Sequence, residues 1–300
     1  MSNVLNTAGV VETKPSLSRA RRTEHSGKRK KLPLPVTLSI GWLALLGLAI
    51  AFFPVLPLPD PTRSDYSAIA APMFSSGHIF GTDEIGRDIL SRLIVGAQVS
   101  LTAGIGSILV AVLIGSTLGI AAGFFGGITN RIISGVLDIM LAFPAIVALI
   151  ALSVFLGTGL WTIVIGIGIV ASPAVARVAR SSTLLFVNRD FVVAARSMGA
   201  GSLRILVREI LPNVVVPIVA YATVLIAVAI VAEASLSFLG LGVPPPTSSW
   251  GSMMGTGRAE LASHPHIVLI PAATMFVTLL ALNFLAEYLG KRFDIKEAAL

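Results

Sequence analysis

The chain reads as an all-α polytopic membrane protein with about six transmembrane helices and both termini cytoplasmic, and three observations point there. Of its 300 residues 55% are hydrophobic and only 12% charged, with a mean hydropathy of +0.89, far outside the range of soluble globular domains. Apolar runs of about 20 residues, the length that crosses a bilayer, recur along it. With the N-terminus inside, all of the 22 Lys and Arg except Arg63, Arg87, Arg92 and Arg258 fall on the cytoplasmic side, as the positive-inside rule requires. The inverted topology would place that excess outside. The net charge of +7 therefore belongs to cytoplasmic segments, and no nucleic-acid partner is expected. There is no Cys, which excludes disulfides, thiolate metal sites and thiol nucleophiles, so helix packing alone must hold the fold.

Residues 1–35 carry Arg19, Arg21, Arg22, Lys28, Arg29, Lys30 and Lys31 without a hydrophobic period and are expected to form a disordered cytoplasmic tail. Residues 36–56 are too long for a signal-peptide core and no small-residue cleavage site follows, which makes them the first membrane helix. Residues 36–96 join that helix to an external segment. In it Thr82 is placed to cap a helix, and Ile85, Ile89, Leu90, Leu93, Ile94 and Ala97 share one apolar face. That helix is expected to lie in the outer interface. Residues 97–300 form a core with five further spans.

The second span, residues 101–125, places Ala111, Gly115, Gly119 and Gly123 at four-residue intervals. Such a small-residue stripe lets two helices approach closely in lipid. Asn130 and Arg131 fall in the turn after it. The third span, residues 132–156, holds Asp138 and a kinking Pro144. An acid there is costly without a partner, and it reads either as the mate of a nearby Arg or as a proton or ion site. The fourth span, residues 161–176, starts at Trp161 and ends before Arg177 and Arg180. The fifth, residues 214–232, leads into a Pro- and Gly-rich segment at 233–251, a rigid external or re-entrant loop. The sixth is residues 267–286, with Lys291 and Arg292 inside.

One polar interruption organises the rest. At residues 189–212 Phe191, Ala194, Ala195 and Met198 recur at helical spacing, Asp190 is placed to cap the first turn, and Gly199 to end the last. Ser202 is placed to cap a second helix with apolar Leu203, Leu206, Val207 and Ile210, while Arg204 and Arg208 lie one turn apart. Pro212 marks a change of direction. On pattern alone this is a cytoplasmic docking device or two amphipathic helices lying on the lipid surface.

The stretch resembles the EAA loop of binding-protein-dependent ABC importer permeases, matching at Ala194, Ala195, Gly199, Leu211 and Pro212. Val193 stands where that family often has Glu, and Glu209 where it often has Ile. GTDEIGRDILSRLIVGAQVSL at residues 81–101 resembles the peptide-type pattern GTDxxGRDxxSRxxxGxxxSL at Gly81, Thr82, Asp83, Gly86, Arg87, Asp88, Ser91, Arg92, Gly96, Ser100 and Leu101, with Gln98 in place of the usual Arg. EASLSFLGLGVPPPTSSWG at residues 233–251 resembles ETSLSFLGLGxxPPxxxWG. The resemblance, to the dipeptide, oligopeptide and nickel type, implies a type I importer permease fold. It also implies a second homologous permease subunit in a heterodimer, two ABC ATPases docked on the cytoplasmic loop, an external solute-binding protein and a surrounding lipid bilayer. The chain itself would conduct and couple, with di- or oligopeptides the expected cargo and nickel or another small solute the alternative.

No GxxxxGK[ST] is present; GSMMGTGR at residues 251–258 lacks its Lys-Ser/Thr end. ATP hydrolysis is therefore expected on partner subunits, with no cofactor here. There is no HExxH, and His25, His78, His264 and His266 are scattered over the tail and outer segments, so no metal site is expected. An ion-coupled secondary transporter would need charges near mid-membrane and paired broken helices, and only Asp138 qualifies. A membrane enzyme lacks a nucleophile, base and orienter within the spans.

Overall fold

A backbone in hydrocarbon must satisfy its own N–H and C=O groups, which leaves helices as the solution for apolar runs this long. The computed structural model describes residues 32–297, with side chains as far as Lys291. The expected tail, except its last four residues, lies outside the described residues. Among the described residues five helices are long and apolar enough to cross a membrane: α1 (Leu34–Phe52, extended by a 3-10 turn at Phe53–Val55), α2 (Ile89–Phe125), α5 (Leu160–Phe186), α8 (Leu211–Phe238) and α10 (His266–Glu297). Two further apolar pieces, α3 (Gly127–Ala142) and α4 (Ala145–Leu156), meet at 88° and make a sixth crossing if the pair is one broken span, or a re-entrant loop if it is not. Shorter helices α6 (Asp190–Ser197), α7 (Ser202–Ile205) and α9 (Trp250–Gly257) complete the set.

Several element boundaries differ from the sequence expectation, each for a local reason. No separate interfacial helix starts at Thr82. The helix starts at Ile89, where Asp88 accepts from both the backbone N–H and the hydroxyl of Ser91 at 2.8 Å, and it runs unbroken into the second span. Thr82 is spent elsewhere, donating to the Ala68 carbonyl and accepting from the Ala71 N–H, within a loop whose residues Thr82 and Asp88 form an antiparallel bridge. Asn130 and Arg131 are not in a turn but inside α3, because the reversal needs only Gly126 and Gly127, both at positive φ. At Phe143 the backbone is extended (ψ 135°), as the residue before a proline is forced to be. The expected kink at Pro144 is thus a full break. α5 continues through Arg177 and Arg180, and α8 continues through Glu233 to Phe238, so charge inside the run did not end either helix.

Packing is densest where side chains are smallest. α2 lies along α5 on Gly115, Gly119 and Gly123. A Cβ on Gly115 would stand 2.5 Å from the Ser172 carbonyl oxygen, one on Gly119 would collide with the Ala176 carbonyl, and one on Gly123 would stand 2.8 Å from Thr183 Cβ. Ala111 is fully buried on the same stripe. α3 is tied to α5 by polar contacts: Arg177 Nη2 lies 2.7 Å from Asp138 Oδ1, and Arg180 Nε donates to Asn130 Oδ1 at 2.5 Å. The partner expected for Asp138 is therefore Arg177.

The outer end is closed by α9 and the segments beside it. Trp250 is fully buried and donates through Nε1 to the Leu93 carbonyl at 3.1 Å. Glu233, also fully buried, accepts from Ser100 at 2.9 Å and Ser237 at 2.6 Å, and Ser100 accepts from the Trp250 N–H at 3.2 Å. These bonds tie α2, α8 and α9 together. In the segment before α2, the Thr62 and Ser67 hydroxyls and amides hold the carboxyls of Asp60 and Asp65 below the usual range.

Candidate coupling surface

Between α5 and α8 the chain leaves the membrane for α6, α7 and a widened turn. α6 ends as its sequence demands. Gly199 sits at φ +81°, its N–H bonds the Arg196 carbonyl and the Ala200 N–H reaches back to Ala195, both at 3.0 Å, the Schellman arrangement that a glycine permits. No side chain caps the helix starts: Arg189 and Gly201 occupy the cap positions, so the expected capping by Asp190 and Ser202 is corrected. Asp190 lies in the first turn, where its charge opposes the helix dipole favourably.

Pro212 does not turn the chain. Residues 202–238 form one continuous helical run of 37 residues, with a π turn at Leu206–Ile210 just before the proline. The wider turn lets Leu211 N–H bond the Leu206 carbonyl, and Asn213 Nδ2 donates to the Glu209 carbonyl at 2.6 Å, where Pro212 has no N–H to contribute.

The expected apolar face of Phe191, Ala194, Ala195 and Met198 is divided. Val192 and Ala195 point inward, joining Ile205, Ile210 and Val214 in a cluster with Val175 and Ala179 of α5 and Ala111 and Ile120 of α2. Ala195 is therefore part of the anchoring side and not of the outward one. Phe191, Ala194 and Met198 remain exposed, as do Leu203 and Val207. Arg204, Arg208 and Leu211 are exposed as well, so this surface is apolar with a cationic border. A cavity of about 200 Å³ opens between α6 and α7, lined by Ala195, Met198, Gly199, Ala200, Arg204, Ile205 and Glu209. The outward face of Leu203 and Val207 completes what residue pattern had assigned only to an apolar side. Val192, the deepest anchor, was missed because helical spacing from Phe191 favoured the next stripe round.

The outer motif residues come together in a different way. Asp83 accepts from the Ile85 and Arg87 N–H groups at 3.1 and 2.9 Å and from Arg87 Nε at 2.7 Å, and Asp88 accepts from or pairs with His78 at 2.9 Å as well as capping α2. Gly81 and Gly86, both at positive φ, let the loop press against the backbone of Ala71 and Asp65. Glu233 was read as loop; an acid inside an apolar run was the signal that marked it as a buried helical group.

Comparison with known proteins gives a consistent picture. The family described as binding-protein-dependent transport system inner membrane component matches residues 115–295. The glutathione transport system permease protein GsiD of Pectobacterium atrosepticum is 39% identical over 270 residues, covering 89% of each chain. GsiD of Escherichia coli O157:H7 is 38% identical over 293 residues, covering 98% of this chain and 96% of its own. Among solved structures, a chain of the MetNI methionine ABC transporter in inward facing conformations superposes with a TM-score of 0.55 at 18% identity, covering 68% of this chain and 97% of that one. The last likeness concerns the fold alone.

Proposed function

This chain belongs to the binding-protein-dependent transport system inner membrane component family and is the permease subunit of an ABC importer, and from that premise we propose that it carries short peptide-like solutes. It is a multi-pass protein of the bacterial inner membrane and not an enzyme, since in this family ATP hydrolysis belongs to partner subunits. The family also works with a solute-binding protein and a second permease subunit. Support for the peptide reading comes from relatives named for glutathione, itself a small peptide, matched over nearly the whole chain.

Coupling is assigned to α6, α7 and the π turn. The observation that carries it is the division of the loop into an anchored and an open side. Val192, Ala195, Ile205 and Ile210 fix it to α2, α5 and α8, while Phe191, Met198, Leu203 and Val207 stay uncovered. A load applied to the open side reaches the spans through packed side chains, and the covalent continuity of α7 with α8 adds a second route. Exposed apolar residues bordered by Arg204 and Arg208 suit a protein partner, and the ATPase is the partner proposed. A heterodimer of two permeases with two ATPases follows the same reading.

The test is reconstitution of the complete importer in liposomes. Uptake of glutathione or a dipeptide that requires ATP and the binding protein is the expected result. A sealed, ATP-hydrolysing complex that imports neither would remove the peptide assignment, and a complex that retains ATPase after Met198→Asp and Leu203→Asp together would remove the coupling surface.

A further inference from the structure

The outer end of the molecule holds a cavity of about 340 Å³ that the coupling role leaves unexplained. Its size falls within that of small-ligand sites. Arg87, Arg92 and Arg258 line it, no acidic side chain does, and Phe238, Val243 and Pro244 supply an apolar border. The cations are not equally satisfied. Arg87 is held by Asp83 at 2.7 Å, with Glu84 at 3.4 Å. Arg92, whose side chain is only 4% exposed, has Asp83 at 3.3 Å from Nε and the Pro61 carbonyl at 3.5 Å from Nη1. That Asp83 already serves Arg87 and two backbone N–H groups. Arg258 is exposed and, among the described residues, carries no ion pair.

A guanidinium offers five N–H donors in a planar fork. Buried with two long contacts, Arg92 keeps donors for something that enters the cavity, and a buried cation so poorly matched is costly until an anion completes it. Carboxylate fits the fork in two-pronged fashion. We propose that this cavity is an outer subsite for a carboxylate of the solute, gripped by Arg92 and Arg258, with the apolar border receiving the adjoining aliphatic part. The assignment rests on the reading of the solute as peptide-like. A recess open to the outside, with one cationic and one apolar side, suits the end of a small amphiphilic solute.

Calorimetric titration of the detergent-solubilised importer, without its binding protein, with dialanine and with dialanine amide tests this. Dialanine is expected to bind more tightly than the amide. Arg258→Gln, at an exposed position where folding is not at stake, should weaken dialanine about tenfold or more and leave the amide unchanged, as expected for loss of a charged hydrogen bond. Arg258→Lys should retain most of the affinity. Equal binding of acid and amide, no binding of either, or an unchanged Arg258→Gln variant overturns the subsite. Uptake assays separate this from the broader reading: if the wild-type importer with its binding protein takes up no peptide, the peptide reading fails. If wild type and Arg258→Gln take up dialanine equally, only the subsite does. Loss of binding-protein affinity in Arg258→Gln with dialanine affinity intact would assign the cavity to that interface and overturn the proposal.

Discussion

At the scale of single residues, Gly199 and Ala195 do different work although they lie one turn apart. A Cβ on Gly199 would meet nothing within 4 Å, so the position is open and its demand is purely conformational. Left-handed backbone costs an ordinary L-residue roughly 1–2 kcal/mol, and Asn pays less than most. Gly199→Val should therefore loosen the reversal between α6 and α7 and weaken ATPase association roughly 5- to 30-fold, while Gly199→Asn stays near wild type. Co-purification of ATPase with each variant at matched permease levels reads the difference, and equal retention by Val and Asn would show that the turn is not strained in the bound state. Ala195, only 7% exposed and in one buried cluster with Val192 and Ile205, behaves oppositely. Ala195→Trp should lower the amount of folded permease by overpacking, whereas Met198→Trp, at a position 81% exposed, should leave expression intact and perturb only ATPase retention. The sequence placed both residues in one face because spacing records the angle around a helix and not which angle meets the core. Gly199 was legible because only one residue type fits that backbone; the inward turn of Ala195 was not, because it depends on where α2 and α5 happen to lie.

Among elements, the contact between α2 and α5 is the one most fully written in the chain. Small residues every fourth position have few meanings in lipid other than close approach, and each of Gly115, Gly119 and Gly123 meets α5 backbone or Cβ atoms. Helix ends were less legible. Arg177, Arg180 and Glu233 resemble terminators by charge, yet each is accommodated inside a longer helix, the arginines against Asp138 and Asn130 and the glutamate by two hydroxyls. Those partners lie between 39 and 133 residues away for three of the four bonds, beyond any local pattern. Gly119→Leu should push α2 off α5, since even a Cβ there would collide with the Ala176 carbonyl and stand 2.8 Å from Ala179 Cβ. A cost of at least about 1–3 kcal/mol is expected for overpacking, seen as a lower melting temperature of the purified subunit or loss of assembled complex. An unaltered melting temperature would mean that the two helices slide apart without penalty. Gly135, whose Cβ would meet nothing within 4 Å, is the control, and Gly135→Leu should be tolerated by the subunit alone.

For the whole molecule, orientation is what joins the two proposed sites: the proposed coupling surface has to face ATP and the proposed solute cavity has to face the solute. Charge counting puts them on opposite sides, and the helices agree with that alternation only if α3 and α4 together make one crossing. Five crossings instead of six would put residues 190–210 on the same face as residues 57–88, and Arg258 on the face opposite the Arg87 and Arg92 with which it lines one cavity. The absence of Cys gives a clean background for deciding this by labelling. Arg87, the natural choice from the motif, is only 7% exposed, so a thiol there would report burial as much as side. Tyr66, 78% exposed, and Met198, 81% exposed, report side alone. Tyr66→Cys should react with a membrane-impermeant maleimide in intact spheroplasts, and Met198→Cys only after the membrane is opened. A third thiol at Phe155, 87% exposed at the far end of α4, reads the broken crossing itself. Placed outside by six crossings, it should be shielded or reactive from the same side as Tyr66, and protection by the assembled second permease should vanish when this chain is expressed alone. Reaction of Phe155→Cys from the cytoplasmic side would mean that the α3–α4 pair dips in and returns, which would place residues 190–210 on the same face as Arg87 and Arg92 and separate those two from the Arg258 that shares their cavity.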